Sequence, residues 1–178
     1  MILAFAGRIG AGKSTISKAV ADHYSVKRAS FGDTVRHEAE RRGINETRVA
    51  LQDLGDQLIA GGWDDFCTLV TDSVDWDRSS SLVVDGVRHH GAIEALRRLA
   101  APSRLHLVFI DTPWDRRKAW LIQKGQDVAE VLAADAHPNE SELSAVMWEA
   151  DMTVSNDGSI DEAVELVISA LYEIGGLP

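Results

Sequence analysis

Eight residues near the start of the chain, GRIGAGKS (Gly7–Ser14), carry its most specific chemical signal. A glycine, four residues, then Gly-Lys-Ser is the spacing of a loop that wraps a phosphate. Gly7, Gly10 and Gly12 let the backbone curl, so that the N–H groups around Ala11 converge on one anion at the positive end of the next helix. Lys13 is expected to reach β- and γ-phosphates, Ser14 to ligate Mg²⁺ and Thr15 to touch the α-phosphate. The bland alternative is a glycine-rich helix cap with an exposed lysine. Context favours the loop, because apolar ILAFA precedes it and helical STISKAV follows.

A phosphate loop of this kind works with an acid at the end of a neighbouring strand. SLVVD (Ser81–Asp85) is an apolar run that ends on one, so Asp85 is the candidate to orient Mg²⁺ or its waters. A turn aspartate before Gly86 is the alternative. Asp111 ends the next run and precedes Thr-Pro, which reads as a cap or turn. Three arginine-bearing stretches also follow strand-like runs: SFGDTVR (Ser30–Arg36), DGVR (Asp85–Arg88) and WDRRKAW (Trp114–Trp120). A guanidinium presents a planar fork of donors suited to phosphate or carboxylate. Any one of these arginines alone is an ordinary surface residue, but together at strand ends they suggest a second anion site.

The elements that must position these groups alternate. Strand-like runs at Ile2–Ala6, Val26–Ser30, Ser81–Asp85, Arg104–Asp111 and MTVS are separated by helical patterns, which predicts a parallel sheet covered on both faces. Between Asp33 and Trp76 the pattern is helical throughout, with Gly43 as a stop and Asn45 as the expected cap of the next helix. This block reads as an insertion over one end of the sheet.

Composition narrows the partners. A net charge of -10 opposes long-range attraction to a nucleic-acid backbone or an anionic membrane, so nucleic acid is disfavoured though a local basic cleft stays open. The single cysteine, Cys67, forms no intramolecular disulfide and reads as a small buried hydrophobe, which fits a reducing cytoplasm. No apolar run approaches a membrane span, and MILAFAG lacks a basic leader, so it is expected to be a strand rather than a signal peptide.

GRIGAGKST, SFGDTVR, VVDGVR, DTPWDRR and ADMTVSNDGS occur in this order over nearly the whole chain. In that order they resemble the P-loop nucleoside monophosphate kinase superfamily, especially its dephospho-CoA-kinase-like and deoxynucleotide-kinase-like branches. The resemblance implies a single α/β domain over 1–178 with a three-layer α/β/α fold and a mostly parallel five-stranded sheet. It also implies a helical acceptor-binding insertion over 32–77 and a short lid over about 113–138. ATP and Mg²⁺ would be the cofactors. Asp33 would contact or activate the acceptor, Arg36 and Arg88 would hold its anionic group, and Arg117 would act from the lid over ATP. Asn156, with Asp157 and Gly158, would lie near the adenine. The chain departs from the pattern after Arg116 and Arg117, where Trp120, Lys124 and Gln126 stand in place of further lid arginines.

Other residues have plainer readings. His89 and His90 show no metal-ligand spacing, and Trp63 and Trp76 are expected to close the core of the inserted helices. Trp120 is either a base-stacking ring or a core residue, and His137 and Glu140 either serve the lid or belong to a helix entry. Three functions follow. The best fitting is an ATP-dependent kinase of a small anionic acceptor, a (deoxy)nucleoside monophosphate above all. The others are a kinase of a hydroxyl group, on a coenzyme precursor or a modified base in DNA, and a nucleotide-dependent switch. A switch needs no second anion pocket, so the paired arginines favour a kinase.

Overall fold

Five apolar runs form one sheet in the computed structural model, which describes residues 1–135 and 139–173. The strands are β1 (Ile2–Gly7), β2 (Lys27–Ser30), β3 (Leu82–Val87), β4 (Leu105–Asp111) and β5 (Met152–Ser155). Their spatial order is β2-β3-β1-β4-β5, and every pair is parallel. The predicted mostly parallel sheet is therefore wholly parallel. Parallel strands place all their carboxyl ends on one rim, which is where the charged residues after each run are delivered.

The pleat divides β1 between two cores. Ile2, Ala4 and Ala6 face one layer, whose apolar residues come from α4 (Trp63–Asp72), α5 (His90–Ala100) and α8 (Asn139–Trp148). Leu3 and Phe5 face the other, beneath α1 (Lys13–Tyr24) and α9 (Ile160–Glu173). Burial on both faces explains why the strands read as continuous apolar runs. Each fully buried Leu, Ile or Phe contributes roughly 1.5–3 kcal/mol.

The helical block between β2 and β3 comprises α2 (Phe31–Arg41), α3 (Arg48–Ala60) and α4. Ser30 caps α2 by accepting from the Asp33 N–H at 3.2 Å. Thr47 rather than Asn45 caps α3, because its hydroxyl accepts the Ala50 N–H at 3.3 Å while the Asn45 carbonyl is engaged by the Thr47 N–H. Phe31 and Phe66 meet edge to face, and Trp63 stacks on Phe66, joining the block to the sheet. Trp63 and Trp76 both pack against that core as expected.

After β4 come α6 (Trp114–Gln123) and α7 (Val128–Asp135), the second of which the sequence pattern does not announce. His137 lies outside the described residues, and Glu140 falls within α8. No helix among the described residues is long and apolar enough to cross a membrane.

Candidate active site

The strand–loop–helix arrangement places Gly7–Ser14 on the carboxyl rim, between β1 and α1. Gly12 sits at φ +85, and a Cβ there would come within 2.6 Å of the Asn156 side-chain nitrogen, so only glycine fits. No side chain caps the start of α1, which leaves its first N–H groups available to an anion. Two buried side chains hold the loop from behind. The Thr112 hydroxyl and the Asn156 amide both donate to the Ala11 carbonyl, at 2.9 and 3.0 Å. That carbonyl is thereby held from behind, while the Ala11 N–H closes a turn onto the Arg8 carbonyl at 3.2 Å. Lys13 folds over the loop, its Nζ donating to the Arg8 carbonyl at 2.8 Å.

Ser14 and Asp85 meet as the metal reading requires. The Ser14 hydroxyl donates to Asp85 Oδ2 at 2.7 Å, although 71 residues separate them. Strand β3 explains the meeting, since Asp85 pairs with Phe5 in β1 and thus ends beside the loop. The Asp85 side chain is only 4 % exposed. Its second oxygen, Oδ1, is buried with no hydrogen-bond partner. A buried carboxylate oxygen left unsatisfied is costly, and a hydrated divalent cation is a natural partner for it. Hydroxyl, carboxylate and orphaned oxygen together suit Mg²⁺, bound directly or through water.

On the acceptor side, β2 delivers α2 to the same rim, with Ser30 paired to Asp85. Asp33 Oδ1 accepts from Arg36 at 2.6 Å, and Asp33 Oδ2 lies 3.5 Å from Arg28. Asp33 and Arg36 are open to solvent, with side chains 63 and 53 % exposed. Arg88 is exposed just beyond β3. Gly86, at φ +89, marks the register shift between β3 and β1, and such a bulge re-aims the residues that follow.

On the other side of the loop the structure gives the surroundings of two expected site residues. Arg117 lies on α6, within the segment expected as the lid. It is 2 % exposed, lies with its guanidinium 5.1 Å from the Trp114 ring centre, and lines a cavity of about 410 Å³. Arg8, Asp111, Thr112 and Leu132 share that cavity. Asn156, expected near the adenine, is fully buried and holds the loop from behind. The partly exposed pair on α6 is Arg116 over Trp120, 5.4 Å from the ring centre. Trp120 also comes within 3.8 Å of where a Cβ on Gly12 would lie, so its ring borders the loop.

Sequence reasoning missed Arg28, Arg8 and Thr112. A signal for Arg28 existed. A basic residue inside a strand, alternating with buried Ala29, has to end on the face where α1 packs. Elsewhere, His89 Nδ1 pairs with Glu142 and His90 Nδ1 with Glu149, each at 2.5 Å. The ligand atoms of His90, Glu94 and Glu149 lie within 4.8 Å of one another, a grouping their spacing did not reveal. Arg97 bridges both of those carboxylates and supplies the cation there. Glu38, buried and forked by Arg41 and Arg42, has its carboxyl held down to about 2, chiefly by hydrogen bonds from Arg41. Burial pushes the Cys67 thiol up to about 12, which makes it a poor nucleophile.

Comparison with known proteins fits this geometry. The family model described as an AAA domain matches residues 6–113. A UPF0200 protein from Methanothrix thermoacetophila is 31% identical over 182 residues, covering 97% of each chain. Among solved structures, TT1252 from Thermus thermophilus is similar with a TM-score of 0.66 at 16% identity, covering 99% of this chain and 98% of that one. Shikimate kinase from Acinetobacter baumannii, solved in complex with shikimate, is similar with a TM-score of 0.63 at 15% identity, covering 98 and 94%. At such identities the two structures speak to the fold alone, an α/β fold with a five-stranded parallel sheet.

Proposed function

The chain belongs to the AAA-domain family and to the UPF0200 proteins, and from that premise we propose that it is an ATP-dependent kinase. It moves the γ-phosphate to a small anionic acceptor, of which a (deoxy)nucleoside monophosphate fits best. One observation carries the reading. The Ser14 hydroxyl is bonded to buried Asp85, and one strand away Asp33 gathers two guanidinium groups on the same rim. A nucleotide-dependent switch would need the first feature and not the second.

The roles follow from placement. The loop N–H groups and Lys13 take the phosphates of ATP, with Thr15 exposed at the start of α1 beside them. Ser14 and Asp85 would hold Mg²⁺, which would supply positive charge to neutralise what develops on the transferred phosphoryl group. Arg36 and Arg88 hold the acceptor's anionic group, and α2–α4 form the acceptor-binding insertion. Helices α6 and α7 form the lid side. There Arg116 and Trp120 border the base, and Arg117 with Arg8 lines the cavity beside the loop.

Asp33 reads as a residue that orients arginines. Its two oxygens already face Arg36 and Arg28, the arrangement expected where an anion is to be clamped rather than a proton removed. A phosphate acceptor is already nucleophilic and needs no base, which favours it over a hydroxyl. Protein groups then supply position and charge for an in-line transfer.

The test is ATP consumption with Mg²⁺ across ribo- and deoxynucleoside monophosphates, with products identified by mass. A monophosphate converted to its diphosphate, one per ADP formed, is the expected result. Slow ATP loss indifferent to every monophosphate would reject that acceptor and turn attention to hydroxyl compounds or a switch.

A further inference from the structure

Arg28 stands where the metal end and the acceptor end of the site meet. In β2 it pairs with Val83, two residues before Asp85 and on the same side of the sheet as α1. Its side chain is about four-fifths buried, being 20 % exposed, and every one of its nitrogens has an acceptor in reach. Nε donates to the Ser17 hydroxyl at 2.9 Å, Nη2 to Asp85 Oδ2 at 2.6 Å, and Nη1 points to Asp33 Oδ2 at 3.5 Å. Oδ2 of Asp85 is also the oxygen that accepts from Ser14. The carboxylate suited to a divalent cation therefore already carries a monovalent one, while its other oxygen is buried and unsatisfied.

We propose that Arg28 is a built-in counter-cation of the metal site. Its guanidinium on Asp85 weakens the hold of the Ser14–Asp85 pair on a divalent ion, and its reach to Asp33 links metal binding to the acceptor side. The inference rests on the reading of Ser14 and Asp85 as metal-binding groups. Like charges a few ångströms apart disfavour each other even when well screened, so the site takes its metal less tightly than its acid alone would. As the metal enters, Arg28 has a second carboxylate to bear upon, and that carboxylate is the one paired with Arg36. Arg28 is thus a positioning residue. It touches Asp85 and Asp33, the groups that would hold metal and acceptor.

The experiment titrates Mn²⁺ into the ADP-saturated protein and reads free Mn²⁺ by electron paramagnetic resonance, with no acceptor and no turnover. Arg28→Met should bind Mn²⁺ about tenfold more tightly than wild type, the effect of removing one unit charge near a divalent ion in a high-dielectric setting. Arg28→Gln, which keeps donors for Ser17 and Asp85, should also bind more tightly and guards against a folding defect in the first variant. Arg28→Lys, which keeps the charge, should stay near wild type. A merely structural residue would loosen the metal when replaced, so neutral variants that bind Mn²⁺ no more tightly than wild type would overturn the proposal. Asp85→Asn separates the two readings. If wild type binds Mn²⁺ no better than Asp85→Asn, the metal assignment itself fails, and this inference with it.

Discussion

The two ends of the site are built differently. At the loop, buried side chains from the ends of β4 and β5 pin a single carbonyl, and a glycine occupies a position no other residue could take. At the rim of α2, exposed Arg36 and Asp33 pair with one another in water. Exposed ion pairs contribute about 0–1 kcal/mol each, so the rim holds its shape weakly and can rearrange around a ligand. The loop is preorganised for a group common to every nucleotide, whereas the rim is left adaptable where specificity has to be decided.

The contrast can be broken or sharpened by substitution. Lys13→Ala should have the largest effect, lowering kcat by at least about 10²–10³-fold, because a preorganised charge opposite the moving phosphoryl group is lost. Steady-state kinetics with an unchanged circular dichroism spectrum would check it. Arg36→Ala or Arg88→Ala should raise the acceptor KM about 10- to 100-fold, the value of a charge-assisted hydrogen bond, and leave ATP affinity alone. Equal loss of ATP affinity would erase the distinction between the two ends.

Asn156→Ala tests the rigid end through stability. Removing a buried amide that holds the Ala11 carbonyl should cost about 1–3 kcal/mol in urea unfolding and weaken ATP binding as well. The smallest effect belongs to the acceptor-side scaffold. Glu38 has its carboxyl at about 2 in the fold against an ordinary value of 4.5, so its contribution is full above that ordinary value and is lost as pH falls towards 2. Glu38→Gln should therefore destabilise most at neutral pH and flatten the acid limb of the stability curve, the difference from wild type closing as pH falls from 4.5 towards 2.

How much was legible in the sequence follows the same division. The loop was readable because phosphate binding there depends on local backbone conformation, which Gly7, Gly10 and Gly12 spell out within eight residues. The position of Asp85 was readable because parallel strands deliver the residues of their carboxyl ends to one rim. The supports were not. Thr112 and Asn156 lie 101 and 145 residues from Ala11, and only the order of β1, β4 and β5 brings them together. The burial of Arg117, a residue expected on the lid side, was hidden for a related reason. A charged residue in a helical stretch reads as solvated, and its burial against Trp114 depends on how α6 docks over the cavity. For Arg28 the alternation with Ala29 speaks only to the face it takes, and a four-residue strand gives no sign that Ser17, Asp33 and Asp85 meet it there.

One measurement bears most directly on the claim that the site joins a phosphate donor to a second anion. It is a single-turnover reaction with ATP labelled in the γ-phosphate, run with Mg²⁺ and the nucleoside monophosphate panel, in wild type and in the Arg36→Ala, Arg88→Ala double variant. The account predicts label in a nucleoside diphosphate with wild type, and loss of that product in the double variant while ATP still binds. Label released only as inorganic phosphate, at the same rate in both proteins and with every monophosphate, would contradict it.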